Sequence, residues 1–160
     1  SNSKSIPLSN ELEALRLYID MEAIRFEKQF SYEIKLSDDL PVDAVCLPPL
    51  IIQPYVENAI WHGLLHKEEA GHLTISISGK KEAMLVCVIE DNGVGRAKAK
   101  ELKSKSASTK KSLGMKLTED RIALLNKQAK IDASVEIEDL YDMNGMASGT
   151  RVTLKIPVDC

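Results

Sequence analysis

Apolar residues recur at helical spacing from Ser9 to about Phe26, where Leu12, Leu15, Ile19, Ala23 and Phe26 fall on one face. Ser9, with Leu8 before it, supplies an N-cap signal, so the pattern predicts an amphipathic helix. The period then drops to two. Phe30, Tyr32, Ile34 and Leu36 alternate with polar residues, which predicts a strand with one buried face, ended by Ser37-Asp38-Asp39. After a short extended piece around Val45-Cys46-Leu47, Pro48-Pro49 sets up a second helix over about Leu50 to Leu65. Proline suits a first helical position and drives the residue before it into extended backbone. Pro54 belongs in the first turn or two of that helix, where a missing donor costs least.

Leu73, Ile75 and Ile77 predict a strand, Gly79-Lys80-Lys81-Glu82 a turn, and Met84 to Glu90 a continuous apolar strand returning as the second arm of a hairpin. Between Arg96 and Ser112 the sequence changes to Lys, Ser and Ala, with Leu102 its one large apolar residue, which predicts a mobile surface segment with one short helical turn. Regular structure resumes at Gly114, where Leu117, Ile122, Leu124 and Leu125 mark a helix ending near Lys130. Two last strands, about Ser134 to Glu138 and Thr150 to Pro157, flank a turn containing Gly and Asn. Helices and hairpins are interspersed without a steady β-α-β alternation. That favours an α/β sandwich, a mixed and mostly antiparallel sheet covered on one face by helices.

Composition changes this picture little. At 160 residues and 44% hydrophobic content the chain has the size and make-up of one soluble domain. Its 21 basic and 24 acidic residues leave a net charge of -3, so bulk electrostatics argues for neither nucleic acid nor an anionic membrane surface as a partner. No apolar run approaches the roughly 20 residues that span a bilayer. The three cysteines, Cys46, Cys87 and Cys160, form no close pair, which points to a reducing compartment rather than a disulfide scaffold. Ser1-Asn2 reads as an expression remnant, Ser1 to Leu8 as remnant and linker, and residues 9–160 as the domain.

Candidate chemistry gathers at two places. In Glu90-Asp91-Asn92-Gly93-Val94-Gly95, one acid stands at a strand end before two closely spaced glycines. A carboxylate followed by backbone that can approach a ligand suits a flat heterocycle bearing an amino group, although a plain strand-to-loop turn would use the same residues. The second helix is apolar on most sides yet carries Gln53, Glu57, Asn58 and His62. Asn58 and His62, four apart, share a face, with Glu57 about 100° away. Asparagine offers a neutral oxygen suited to magnesium beside phosphates; the alternative is that Asn58 caps or hydrogen-bonds within the core. His62-x-x-x-His66 has the spacing of a zinc pair, but Gly63 stands where a metalloprotease needs glutamate.

Four segments in order resemble the boxes of LytS-type sensor histidine kinases. Pro48 to Gly63, reading PPLIIQPYVENAIWHG, is similar to the N-box; Glu90 to Gly95 to the G1 box; Ser112-Leu113-Gly114-Met115 to the G2 box; and Ser148-Gly149-Thr150 to the last Gly-Thr element. The Leu8 to Phe30 stretch is similar to what precedes the N-box in that family. The resemblance implies the Bergerat ATP-binding fold of the gyrase, heat-shock chaperone, histidine kinase and MutL superfamily. It implies that Asp91 accepts a hydrogen bond from the adenine amino group, selecting ATP over GTP because guanine presents a carbonyl oxygen there. Gly93 and Gly95 would let backbone approach the base. Gly149 and Thr150 would complete the adenine edge. Asn58 would hold Mg2+, with Glu57 beside it as the second catalytic residue, and His62 would lie on the nucleotide side. Ser112, Leu113, Gly114 and Met115 would offer backbone donors to phosphate, and residues 96–112, with six lysines, would form the ATP lid.

The sequence departs from the family at three positions. Pro54 stands where an acid or amide often precedes the metal-binding asparagine by four residues, Trp61 replaces a common lysine, and Ser112 replaces the first glycine of a Gly-x-Gly. No histidine precedes the N-box, so the phosphoacceptor is expected on an upstream dimerisation segment outside this chain. The resemblance thus implies the catalytic domain of a bacterial two-component kinase, inactive alone. Its parent would sit in the plasma membrane with this domain in the cytoplasm, making no membrane contact itself, and would pass phosphate to a response regulator, often one of LytTR type. The alternative is a nucleotide-binding regulatory module with little or no kinase activity.

Overall fold

The computed structural model describes residues 5–25, 27, 30–80, 84–103 and 133–158. Its main body is a five-stranded sheet in the order β2-β4-β5-β7-β6, built from β2 (Phe30–Leu36), β4 (Gly71–Lys80), β5 (Met84–Asp91), β6 (Ser134–Tyr141) and β7 (Ala147–Pro157). β2 runs parallel to β4, and the other neighbours are antiparallel. The expected mixed, mostly antiparallel sheet is therefore present. Two residues each of β1 (Ile6–Pro7) and β3 (Cys46–Leu47) form a separate small ladder.

One face of the sheet is apolar. Leu73, Ile75 and Ile77 of β4, Leu85, Cys87 and Ile89 of β5, and Val152, Leu154 and Ile156 of β7 are buried, while the residues between them are mostly half-buried. β5, expected as a continuous apolar strand, thus largely obeys the alternation of a one-sided strand. Against this face pack α1 (Leu8–Arg25), through Leu8, Leu12, Leu15 and Ile19, and a second helical run, through Ile51, Ile52, Tyr55, Val56, Ile60 and Leu64. The opposite face of α1 leaves Leu17, Met21 and Ile24 exposed.

Helix α1 begins at Leu8, one residue before the expected cap. The amides of Leu8 and Ser9 are taken by the carbonyls of Val45 and Val42, at 2.7 and 2.9 Å, so a neighbouring loop satisfies the first two donors of the helix. Because Ile6 and Pro7 pair with Leu47 and Cys46 and Leu8 is fully buried, packed structure includes residues expected to be linker.

The second helical run starts at Gln53 rather than Leu50, because Leu50 takes up a left-handed φ of 58° that no helix interior tolerates. Pro54 sits at its start as expected. The run is α-helical over Gln53–Asn58 (α2), widens to a π turn over Ala59–Gly63 and tightens to 3-10 over Leu64–His66. After β5, Arg96–Lys103 forms α3, two turns where one was expected. The expected helix from Gly114 to near Lys130 lies outside the described residues. The last hairpin is longer than expected, with its turn at residues 142–146.

Cys46 is disulfide-bonded, against the expectation drawn from cysteine spacing, and Cys87 is free and buried. Spacing along a chain carries no information on which segments meet in space. Among the described residues, no helix is long and apolar enough to cross a membrane.

Candidate functional site

The end of β5 carries Asp91 into the apolar face of the sheet, where it is only 5% exposed. Strand alternation decides this: Leu85, Cys87, Ile89 and Asp91 all point to the core side, so a carboxylate occupies what would otherwise be an apolar position. Burial raises its pKa to about 6 from the ordinary 3.8. The Gly93 amide, bonded to Oδ1 at 2.9 Å, opposes that rise, Glu90 adds to it, and Lys67 and the Thr150 backbone oppose it further. A buried acid held by few donors is poised to accept one more.

Glycines make the room around it. A Cβ on Gly63 would lie 2.7 Å from Asp91 Oδ1. One on Gly93 would strike the Gly63 backbone, and one on Gly149, at φ 143°, the Asp91 carbonyl. The N-box π turn, the loop after β5 and the start of β7 therefore meet at Asp91 with backbone against backbone. Gly95, at φ 87°, turns the chain from that loop into α3, whose Ala99 amide bonds the Gly95 carbonyl at 3.0 Å.

The loop is also pinned from β4. His72 N donates to Asn92 Oδ1 at 2.7 Å, Asn92 N to the His72 carbonyl at 3.2 Å, and Lys67 Nζ to the Asn92 carbonyl at 2.7 Å. Val94 N reaches the Gly63 carbonyl at 3.4 Å. At the start of α3, Arg96 grips Asp139 of β6 through Nε to Oδ1 at 2.7 Å and Nη2 to Oδ2 at 2.9 Å.

Of the residues expected to act, Asp91, Gly93, Gly149 and Thr150 are brought together; Asp91 and Thr150 face each other across the β5–β7 ladder. Asn58 ends α2, half-buried, and makes no side-chain capping bond to the π turn after it, so capping does not account for it. His62, also half-buried, lies in that π turn, which packs on α3, β5 and β7. π turns of this kind are frequent at functional sites. The charge of Glu57 helps raise the Tyr18 hydroxyl of α1, behind burial and Glu22, so Glu57 lies within electrostatic reach of α1. Trp61 is also engaged with α1, with the Arg25 guanidinium 5.9 Å from its ring centroid. Ser112, Leu113, Gly114 and Met115 lie outside the described residues, as does most of the expected lid.

Two participants escape a reading of motifs alone. Gly63 ends the N-box and reads there as a helix terminator, and nothing local says it must clear space for a residue 28 positions later. Lys67 has no motif at all; only its position one residue beyond the 3-10 turn puts its amine on the Asn92 carbonyl.

No protein-family model matches the chain. Among curated proteins it is similar to the sensor protein LytS of Bacillus subtilis, 29% identical over 158 residues, covering 96% of this chain and 25% of that protein. The chain spans about a quarter of the length of such relatives. Among solved structures, the histidine kinase domain of the Erythrobacter litoralis blue-light activated histidine kinase matches with a TM-score of 0.61 at 16% identity, covering 96% of this chain and 66% of that one. The histidine kinase ThkA, solved in complex with response regulator protein TrrA, matches at 0.57 and 14% identity, covering 98% and 42%. The fold is thus that of histidine kinase catalytic domains, and the resemblance to LytS-type sensor kinases extends over nearly the whole chain.

Proposed function

We propose that this chain is the ATP-binding catalytic domain of a two-component sensor histidine kinase, which transfers the γ-phosphoryl group of ATP to a histidine on an upstream dimerisation segment. The observation that carries the reading is a single buried carboxylate, Asp91, walled by the backbones of Gly63, Gly93 and Gly149. The glycines let those backbones close tightly on the carboxylate, and an amino group on the edge of a base would meet an acid that burial has left short of donors.

In this reading Asp91 and Thr150 recognise adenine, and Asn58 holds Mg2+ with Glu57 and His62 on the same helical run. Bound ATP and metal supply the transferable phosphoryl group and the charge neutralisation it needs. The protein's own work is positioning, through the loop that His72, Lys67 and Gly63 hold in place. Residues 96–112 act as the lid, starting with α3. Alone the domain is inactive for want of an acceptor histidine. Its parent is a bacterial membrane sensor with this domain in the cytoplasm, passing phosphate to a response regulator of LytTR type.

Calorimetric titration tests the site. ATP should bind more tightly with Mg2+ than without, and GTP should bind far more weakly; equal affinity for GTP would sink the assignment of Asp91. Supplying the upstream histidine-bearing segment should then give magnesium-dependent label transfer from ATP.

One observation favours a second reading, a nucleotide-binding regulatory module with little or no kinase activity. Trp61 stands where a phosphate-binding lysine is common and is engaged with α1. Tight ATP binding without label transfer would select that reading.

A further inference from the structure

Glu11 is the most deeply buried acid among the described residues, 1% exposed on the core face of α1. It points toward the entry of the N-box helix. Oε1 accepts the Leu50 amide at 3.3 Å and Oε2 the Ile52 amide at 3.2 Å. Burial raises its pKa, and the amides of Ile52, Leu50, Gln53 and Ile51 together oppose that rise. Its charge reaches Cys87 on β5, so the carboxylate sits between α1, the N-box entry and the sheet.

The N-box helix has no cap of its own. Its N-cap residue is Ile52, which offers no side-chain acceptor, and the left-handed Leu50 stands two residues earlier. A helix start with unpaired amides after a strained residue needs an acceptor from elsewhere. Glu11 is that acceptor, and its negative charge also suits the positive end of the helix. Farther along, α1 meets the same helical run again through Arg25 over Trp61 and through the Glu57 charge felt at Tyr18. α1 therefore meets the N-box run at its entry and again at Trp61, with Asn58 between the two contacts.

We propose that Glu11 is a positioning residue, which caps the N-box helix from α1 and so ties the rotational and axial setting of Asn58 to the position of α1. The proposal rests on the reading of Asn58 as the Mg2+ ligand. Its consequence is that any displacement of α1 acts first on the metal end of the site and leaves the adenine end, built on β5 and β7, in place.

Two measurements on the 160-residue chain test it, with Glu11→Ala and the isosteric Glu11→Gln, which keeps one acceptor oxygen and removes the charge. Amide hydrogen exchange needs no nucleotide. Exchange at residues 50–53 should accelerate in both variants, more in Glu11→Ala, while β5 and β7 keep their protection. Calorimetry then compares ATP affinity with and without Mg2+. The gain that Mg2+ confers should fall roughly 10-fold in Glu11→Ala and less in Glu11→Gln, with metal-free affinity unchanged, a loss in the range seen when groups orienting a metal ligand are removed. Unchanged exchange at residues 50–53 in Glu11→Gln overturns the capping role, and should Glu11→Ala fail to fold, Glu11→Gln alone decides. A full Mg2+ gain in Glu11→Gln beside a lost one in Asn58→Ala overturns the coupling while leaving the metal assignment intact. A full gain in Asn58→Ala removes the metal assignment and the proposal with it.

Discussion

Asp91→Asn separates what the buried carboxylate costs the fold from what it gives the ligand. Its pKa of about 6 lies roughly two pH units above the ordinary value, so at pH 7.5 the fold holds an ionised group it disfavours by about 3 kcal/mol. The sign follows from the proton balance. Between about pH 4 and 6 the native state binds more protons than the unfolded one, so stability falls as pH rises through that window and the full cost stands above it. Asparagine keeps an oxygen for the Gly93 amide and carries no charge. The variant should therefore be more stable than the parent at pH 7.5, by about 1–3 kcal/mol in urea unfolding, and equal to it near pH 4. ATP affinity should move the other way. With its oxygen on the Gly93 amide, asparagine turns an NH2 donor toward the adenine amino group, and losing the charge-assisted hydrogen bond costs at least about 1.5–3 kcal/mol, which is roughly 10- to 150-fold or more in Kd. A variant that is less stable at pH 7.5 while binding ATP as tightly as the parent would refute both the electrostatic account of Asp91 and its place in the site.

Protonating Asp91 has the same effect on binding, so ATP affinity in the unmutated chain should decline as pH falls through about 6, measured by titration between pH 5 and 8. Gly63→Ala should lower nucleotide affinity at least 10-fold and destabilise by about 1–3 kcal/mol, because its Cβ would lie 2.7 Å from Asp91 Oδ1. Gly145→Ala, with nothing within 4 Å of the new atom and a φ of 76°, should cost only about 1 kcal/mol of backbone strain and no affinity. Arg96→Ala breaks a bidentate but half-exposed pair with Asp139 and should shift stability by about 1 kcal/mol or less, a difference that high salt erases in thermal denaturation.

Much of this molecule is written in local pattern. The period of two in β2, β4 and β7 and the helical spacing in α1 each follow from one side of an element being dry, a demand that every few residues repeat. Asp91 was legible for the same reason, an acid at a strand end before two glycines. Local pattern failed where distant segments supply what a neighbour would. Ser9 does not cap α1, because the helix already begins at Leu8, where the Val45 and Val42 carbonyls take its first two amides. Leu50 does not start the second helix, because Pro48-Pro49 leads into a left-handed turn that Glu11, some forty residues earlier, holds from another helix.

By itself, then, the sequence determined the order of elements, the one-sided sheet and the identity of the polar residues set on apolar surfaces. Backbone sterics and burial act on each segment separately, and so show in its period. Only the tertiary structure decided that Gly63 clears space for Asp91, that Trp61 engages α1 while Asn58 does not cap its own helix, and that Glu11 completes the N-box entry. Each of these is a contact between residues remote in sequence, where packing and hydrogen-bond satisfaction are shared among segments and leave no mark on either one alone.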